Sequence, residues 1–332
     1  MHNFNSLFLY VALALSYCGT ITAAAGSPGA DRLFDFTLTA DMKGSDADNP
    51  SSALSKLIKY VVKGEKNKRG DYLSIESKGK DVELGIEIKD SSIFCPGDKE
   101  DNCQHGFRRT DVLPAIDSNK TLVGTTVFHQ SFRMNPKLPL NLTHGYLLSS
   151  IEVPSGDHVF DIFAGSDFSS NLTQKSMNDP KTIRIRDLTT KVLHSIPIKD
   201  DALYNTAIAV DWDANQLTVY ASEGDEELKK VAGPMMNSPK VVDAANKLTG
   251  EWHVQLIKFP LPNPADPYDQ RSDVPHKGIQ EANLHEGIFF SRMYVEDGAN
   301  GQINTSVIGK AGVAKSNNKG GIGKKTLSRA RY

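Results

Sequence analysis

Val82-Glu83-Leu84-Gly85-Ile86-Glu87-Ile88 alternates apolar and polar side chains, the mark of a strand with one buried and one wet face. The same reading gives strands at 121–132, rich in Thr, Val and Phe, and at 145–153, apolar enough to be buried on both faces. Further strands follow at 159–163, 181–186, 206–212, 216–222, 252–259 and 288–295. Asp213-Ala214-Asn215 predicts a hairpin loop, because Asp and Asn accept turn conformations. Helical signals are sparse, at 51–62 and more weakly at 226–231 and 241–248. Many strands at short spacing predict an all-β fold, a β-sandwich or jelly roll. No repeat or low-complexity linker divides the stretch 26–308, so it reads as one domain. Four prolines between 260 and 273 break the pattern and predict a long ordered loop, either functional or a surface excursion.

The two ends of the chain differ from this body. Residues 7–15 are apolar and uncharged and run into the small residues at 20–26, the pattern of a secretory signal peptide over 1–25. The stretch is too short to span a bilayer, which takes about 20 apolar residues. From Lys310 onward there are seven basic residues and no acidic ones. Subtracted from the net charge of −2, they leave the body near −9. The Gly- and Lys-rich tail, 309–332, has too few apolar residues to bury a core and is expected to be disordered, either solvated or attracted to acidic wall polymers.

Export changes the reading of the cysteines. Cys18 leaves with the signal, so Cys95 and Cys103 are the pair available for a disulfide in an oxidising compartment. Two thiols without histidine partners do not make a zinc site, and neither metal nor cofactor is called for. Asn119, Asn141, Asn171 and Asn304 each open an N-glycosylation sequon. The near balance of charge over the whole chain implies neither a nucleic-acid nor a membrane partner, and the protein is expected to be a secreted, extracellular monomer.

The sequence has no nucleophile elbow, phosphate loop, zinc helix or dinucleotide fingerprint. What remains are carboxylates, histidines and arginines on strands. Among these, Ser91-Ser92-Ile93-Phe94, Gly106-Phe107-Arg108-Arg109-Thr110-Asp111-Val112-Leu113-Pro114, Pro139-Leu140-Asn141-Leu142-Thr143-His144, the Asp211-Trp212 hairpin, Val231-Ala232-Gly233-Pro234, His276-Lys277-Gly278-Ile279-Gln280-Glu281 and Glu286-Gly287-Ile288 follow one another in an order that resembles glycoside hydrolase family 131, the fungal β-glucanases. The resemblance covers about 32–298. It implies a jelly roll and activity on β-1,3-, β-1,6- or β-1,4-linked glucan of cell walls, with a polysaccharide as the partner. Two departures stand out. The family usually has Glu at the position of Asp111, and a second Glu where this chain has Gly145.

Glycoside hydrolysis needs a proton donor and a base or nucleophile. Asp111, His276 and Glu281 are the catalytic candidates. Arg109, His144, Gln280 and Glu286 are the candidates for binding the sugar. Each has a plainer reading: Asp111 neutralising an arginine, His144 a satisfied structural histidine, Glu286 a turn carboxylate. Tyr204, Trp212 and Tyr268 are possible stacking surfaces, with core packing the default for Trp212. By alternation, Arg109 and Asp111 share one face, as do Gly145, Leu147 and Ser149. Asp111 is expected to project into an open trough. A second reading keeps the fold and groove but loses the chemistry, leaving a glucan-binding protein; a polysaccharide lyase is a distant third.

Overall fold

The computed structural model describes residues 30–167, 178–299 and 301–307. The expected leader, the Asn171 sequon and the basic tail lie outside them. Two antiparallel sheets face each other. The first contains β1 (Arg32–Asp35), β3 (Leu73–Lys78), β4 (Asp81–Lys89), β6 (Thr125–Met134), β11 (Tyr204–Asp211), β12 (Gln216–Glu223), β13 (Lys229–Met236) and β15 (His285–Asp297). The second contains β2 (Ile58–Val62), β5 (Arg108–Pro114), β7 (Gly145–Glu152), β8 (His158–Gly165), β9 (Thr182–Asp187), β10 (Val192–Pro197) and β14 (Glu251–Lys258). The second sheet runs in the order β10-β9-β8-β7-β14-β5-β2, so its central strands come from three distant parts of the sequence.

The expected sandwich is therefore present, and its core lies where strand alternation places it. Leu84, Ile86 and Ile88 from β4 meet Val112, Phe160, Ile162, Trp252 and Val254 from the opposite sheet. Phe128 of the first sheet packs edge-on to Trp252 at 5.6 Å and against Phe160 at 6.1 Å, joining the two layers through aromatic contacts. The hairpin between β11 and β12 forms as expected. The Asp211 side chain accepts the backbone N–H groups of Asp213 and Ala214, and Asn215 takes a left-handed φ of 52°.

The helix expectations are corrected. At 51–62, helix survives only as α1 (Ala53–Leu57), capped by the Ser52 hydroxyl, which accepts the Ser55 N–H. The β-branched and aromatic residues that follow, Ile58, Tyr60, Val61 and Val62, pair instead with β5 as β2. The end of 226–231 is taken into edge strand β13, which pairs with β12. In 241–248 a short 3-10 turn, Pro239–Val242, replaces the helix. The proline-rich loop runs through several turns, among them the 3-10 turn Tyr268–Gln270, and is tied down by the Leu261–Ile279 bridge.

Trp252 is fully buried and its indole N–H donates to Ser149 Oγ at 3.3 Å. Trp252→Ala is expected to lower stability by about 3–5 kcal/mol, read as a shift of the urea midpoint. An unchanged midpoint would contradict this placement.

Candidate functional site

The site is built on the outward face of the second sheet. On β5, Thr110 and Val112 turn inward, so Arg109, Asp111 and Leu113 turn outward. Opposite them on β14, Asp111 faces Gln255 and Arg109 faces Ile257, while Trp252, Val254 and Leu256 belong to the core.

Strand β7 breaks the alternation. Leu148 faces the core, and Ser149 lies opposite the core residues Val254 and Ile162, with a register shift between Leu147 and Ser149. The Ser149 hydroxyl donates to the His253 carbonyl at 2.8 Å and accepts the inward Trp252 N–H. Two successive inward residues are the signature of a β-bulge, which reverses the faces beyond it. The expectation that Gly145, Leu147 and Ser149 share one side is thus corrected at Ser149. Beyond the bulge Ser150 and Glu152 face outward, paired with His253, Asp161 and His158.

This reversal completes a row of alternating charges across five strands. Arg109 grips the Asp111 carboxylate through Nη2 and, at 3.3 Å, through Nε; its Nη1 donates to Gln104 at 3.1 Å. His253 comes next, with Nδ1 3.7 Å from Asp111 and Nε2 3.8 Å from Glu152. Both separations are too long for a direct hydrogen bond. His253 is buried, and neither of its ring nitrogens has a hydrogen-bond partner among the described residues. Glu152 also lies 3.8 Å from His158 Nε2, whose Nδ1 is 3.7 Å from Asp161. Asp161 accepts two hydrogen bonds from Arg186, at 2.7 and 2.8 Å. Asp167 lies beyond, bonded to Arg184 at 2.9 Å.

Burial and pairing oppose each other along the row. Burial raises the Asp111 pKa most strongly, but the Arg109 guanidinium and the His253 imidazole together outweigh it and hold the carboxyl below the ordinary range. Glu152 is held low in the same way, its desolvation outweighed by the imidazoles of His158 and His253. For His158, burial disfavours the imidazolium, but Asp161 and Glu152 favour it more and push its pKa up to about 9. Solvent reaches the row unevenly. The Glu152 side chain is 39% exposed and that of His158 25%, whereas Asp111 is fully buried. The expectation that Asp111 faces an open trough is corrected: Arg109 and His253 flank a buried carboxylate, and the solvent-facing acid is Glu152. The sequence signal for it was Glu152 itself, hidden by the parity of the strand.

The other singled-out residues gather elsewhere, around a lysine that sequence reading overlooked. Lys258, fully buried, donates to Glu281 at 2.7 Å and to Glu286 at 2.8 Å. Tyr146 donates to Glu286 at 2.8 Å. His144 Nδ1 donates to the Phe259 carbonyl at 2.7 Å, and its Nε2 faces Glu281 at 3.0 Å. Asn141 also donates to Glu281, and Gln280 donates to the carbonyls of Gly106 and Lys258 at 2.7 and 3.2 Å. This cluster fastens the end of the 260–283 loop to the body. Desolvation at Glu281 is outweighed by Lys258, a backbone N–H and His144 acting together, which draw its pKa down to about 2. His276 stands apart in the loop, half exposed and paired with Asp273 at 2.9 Å. Tyr204 and Trp212 pack in or against the core, and Tyr268 is exposed in the loop. Cys95 and Cys103 are joined in a disulfide, and Asn119 and Asn141 are exposed.

Gly145 lies at the lower end of the face. A Cβ there would meet the Phe163 ring and the Ser166 carbonyl oxygen, each at 2.5 Å. The neighbouring packing therefore leaves no room for a side chain.

The family model described as glycoside hydrolase 131 catalytic N-terminal domain matches residues 33–301. A β-glucanase catalytic domain of that family from Podospora anserina superposes with a TM-score of 0.60 at 18% identity, covering 84% of this chain and all of the other. The corresponding domain from Coprinopsis cinerea gives 0.56 at 15% identity, covering 83% of this chain and 97% of the other. A search of curated protein sequences finds no match.

Three outcomes test the geometry. Gly145→Glu is expected to destabilise the protein by about 1–3 kcal/mol through overpacking, and wild-type stability in that variant would contradict the contacts given. Lys258→Met leaves Glu286 buried without its cation and is expected to cost about 3–5 kcal/mol, measured by denaturant unfolding; no loss would mean that the cluster is not formed. His158, raised from 6.5 to about 9, contributes stability that is fully present below about pH 6.5 and is lost as pH rises through about 9. His158→Gln should therefore flatten the fall in Tm between pH 6 and 10, and an unaltered fall would contradict the pairing.

Proposed function

The chain belongs to glycoside hydrolase family 131, and from that premise we propose that it hydrolyses β-glucan on the outward face of its second sheet, with Glu152 as the acid/base group that meets the sugar. The observation carrying this reading is the Asp111–His253–Glu152 alignment, in which a buried imidazole lies between two carboxylates of opposite accessibility. Hydrolysis delivers one proton to the departing glycosidic oxygen and removes one from the attacking water. Glu152, kept ionised and open to solvent, takes the proton from the attacking water and hands it to the departing glycosidic oxygen, so the proton removed is the proton delivered. His253 lies buried behind it, with no hydrogen-bond partner for either ring nitrogen among the described residues. Asp111, charged by its contact with Arg109, borders His253 on the far side. Asp111 is on this reading a positioning residue. Glu281 and His276 take no part, the first committed to Lys258 and the second to Asp273.

A second reading, glucan binding without cleavage, draws support from the complete burial of Asp111. We further infer that the protein works outside the cytosol, supported by the apolar leader, the Cys95–Cys103 disulfide and the exposed sequon residues Asn119 and Asn141.

The two readings separate on laminarin and cello-oligosaccharides. Hydrolysis by the wild type, with kcat lowered about 10²- to 10⁴-fold in Glu152→Gln, is expected. Equal sugar release by the variant would overturn the assignment of Glu152. Wild-type binding with no release would establish the second reading.

A further inference from the structure

We propose that Tyr60 is a stacking subsite that holds the glucan at the sheet edge, about three sugar residues from Glu152; this rests on the hydrolase reading above. Strand β2 is the last strand beside β5 in the second sheet. In it Val61 faces Val112 and the core, whereas Val62 lies opposite Asp111 and Tyr60 opposite Leu113. Residues directly opposite in an antiparallel pair share a face. Tyr60 therefore stands on the outward face that carries the charged row. It also lies on the His253 side of Asp111, because Val254 pairs with Val112 and the next step brings His253 beside Leu113.

Exposure marks the path. Tyr60 is 47% exposed, and the next solvent-reaching groups along this line are Glu152 and His158. Between them Leu113 and His253 are buried, so they form a floor rather than a wall. Neighbouring strands are about 4.8 Å apart, close to the length of one sugar residue in an extended glucan. Crossing from β2 past β5 and β14 to β7 thus spans about three residues of the polymer.

The chemistry fits the position. A pyranose ring presents apolar C–H faces, and a tyrosine ring offers a flat apolar surface with a polar tip. Among the described residues, no hydrogen bond or ring contact occupies the Tyr60 side chain. Tyr268, more exposed, has the Arg271 guanidinium 5.7 Å over its ring and sits in the 260–283 loop, away from this line.

The test compares hydrolysis of laminari- and cello-oligosaccharides of increasing length. Tyr60→Ala is expected to raise KM roughly two- to twelvefold for long oligosaccharides, the factor equivalent to about 0.5–1.5 kcal/mol of aromatic stacking. Turnover of the shortest cleaved substrate and kcat should not change, and Tyr60→Phe should restore wild-type KM because it keeps the ring. Equal KM for wild type and Tyr60→Ala at every length would overturn the subsite while leaving the hydrolase reading intact. Equal loss in Tyr60→Phe would overturn stacking in favour of the hydroxyl. A wild type that neither binds nor cleaves β-glucan would overturn both readings.

Discussion

A strand presents successive side chains to opposite faces, and the site depends on one place where that rule is broken. The extra residue near Leu148 turns both Leu148 and Ser149 toward the core, and everything after them in β7 changes sides. Without it, Ser150 and Glu152 would be driven into the aromatic core beside Trp252, where an unpaired carboxylate is prohibitive. With it, Glu152 reaches solvent next to two histidines. The hydroxyl of Ser149, bonded to Trp252 and to the backbone of β14, satisfies the polar group that the bulge turns inward.

Once the carboxylates share a face, electrostatics dictates the rest. Asp111 and Asp161 are almost wholly removed from water, and each is matched by an arginine, Arg109 and Arg186. The histidines separate the acids, so like charges are not adjacent in the row. Glu152, between His253 and His158, is the only acid in this part of the row whose side chain is substantially exposed. The arrangement keeps it ionised while leaving it accessible. Lys258 performs a different task with the same physics, neutralising Glu281 and Glu286 to hold a long loop against the body.

Much of the fold was legible because period-2 patterning is strong in half-buried strands: β4, β7, β11, β12, β14 and β15 all fall where alternation or apolar runs put them. The short strand β2 was not, because Ser52 and the residues after it offer a helix start that β5 overrides by pairing with Ile58, Tyr60, Val61 and Val62. The site was legible in part. Arg109 and Asp111 lie in it, since alternation on β5 is regular and sets them on one face. Glu152 and His253 escaped notice, because the bulge inverts the face of one, and the other lies in a strand whose role depends on neighbours far away in sequence. Glu281, Glu286 and His144 were singled out one by one as candidates for chemistry or sugar binding; the structure gathers them into an ion cluster around Lys258, which sequence spacing did not reveal.

The most direct measurement is a crystal structure of the Glu152→Gln protein soaked with a laminari-oligosaccharide. The account expects the sugar to cross the outward face of the second sheet, with its scissile oxygen within about 3 Å of residue 152 or reached through one water. A sugar seated instead over the Lys258 cluster or on the other sheet, with the face between Asp111 and His158 empty, would contradict it.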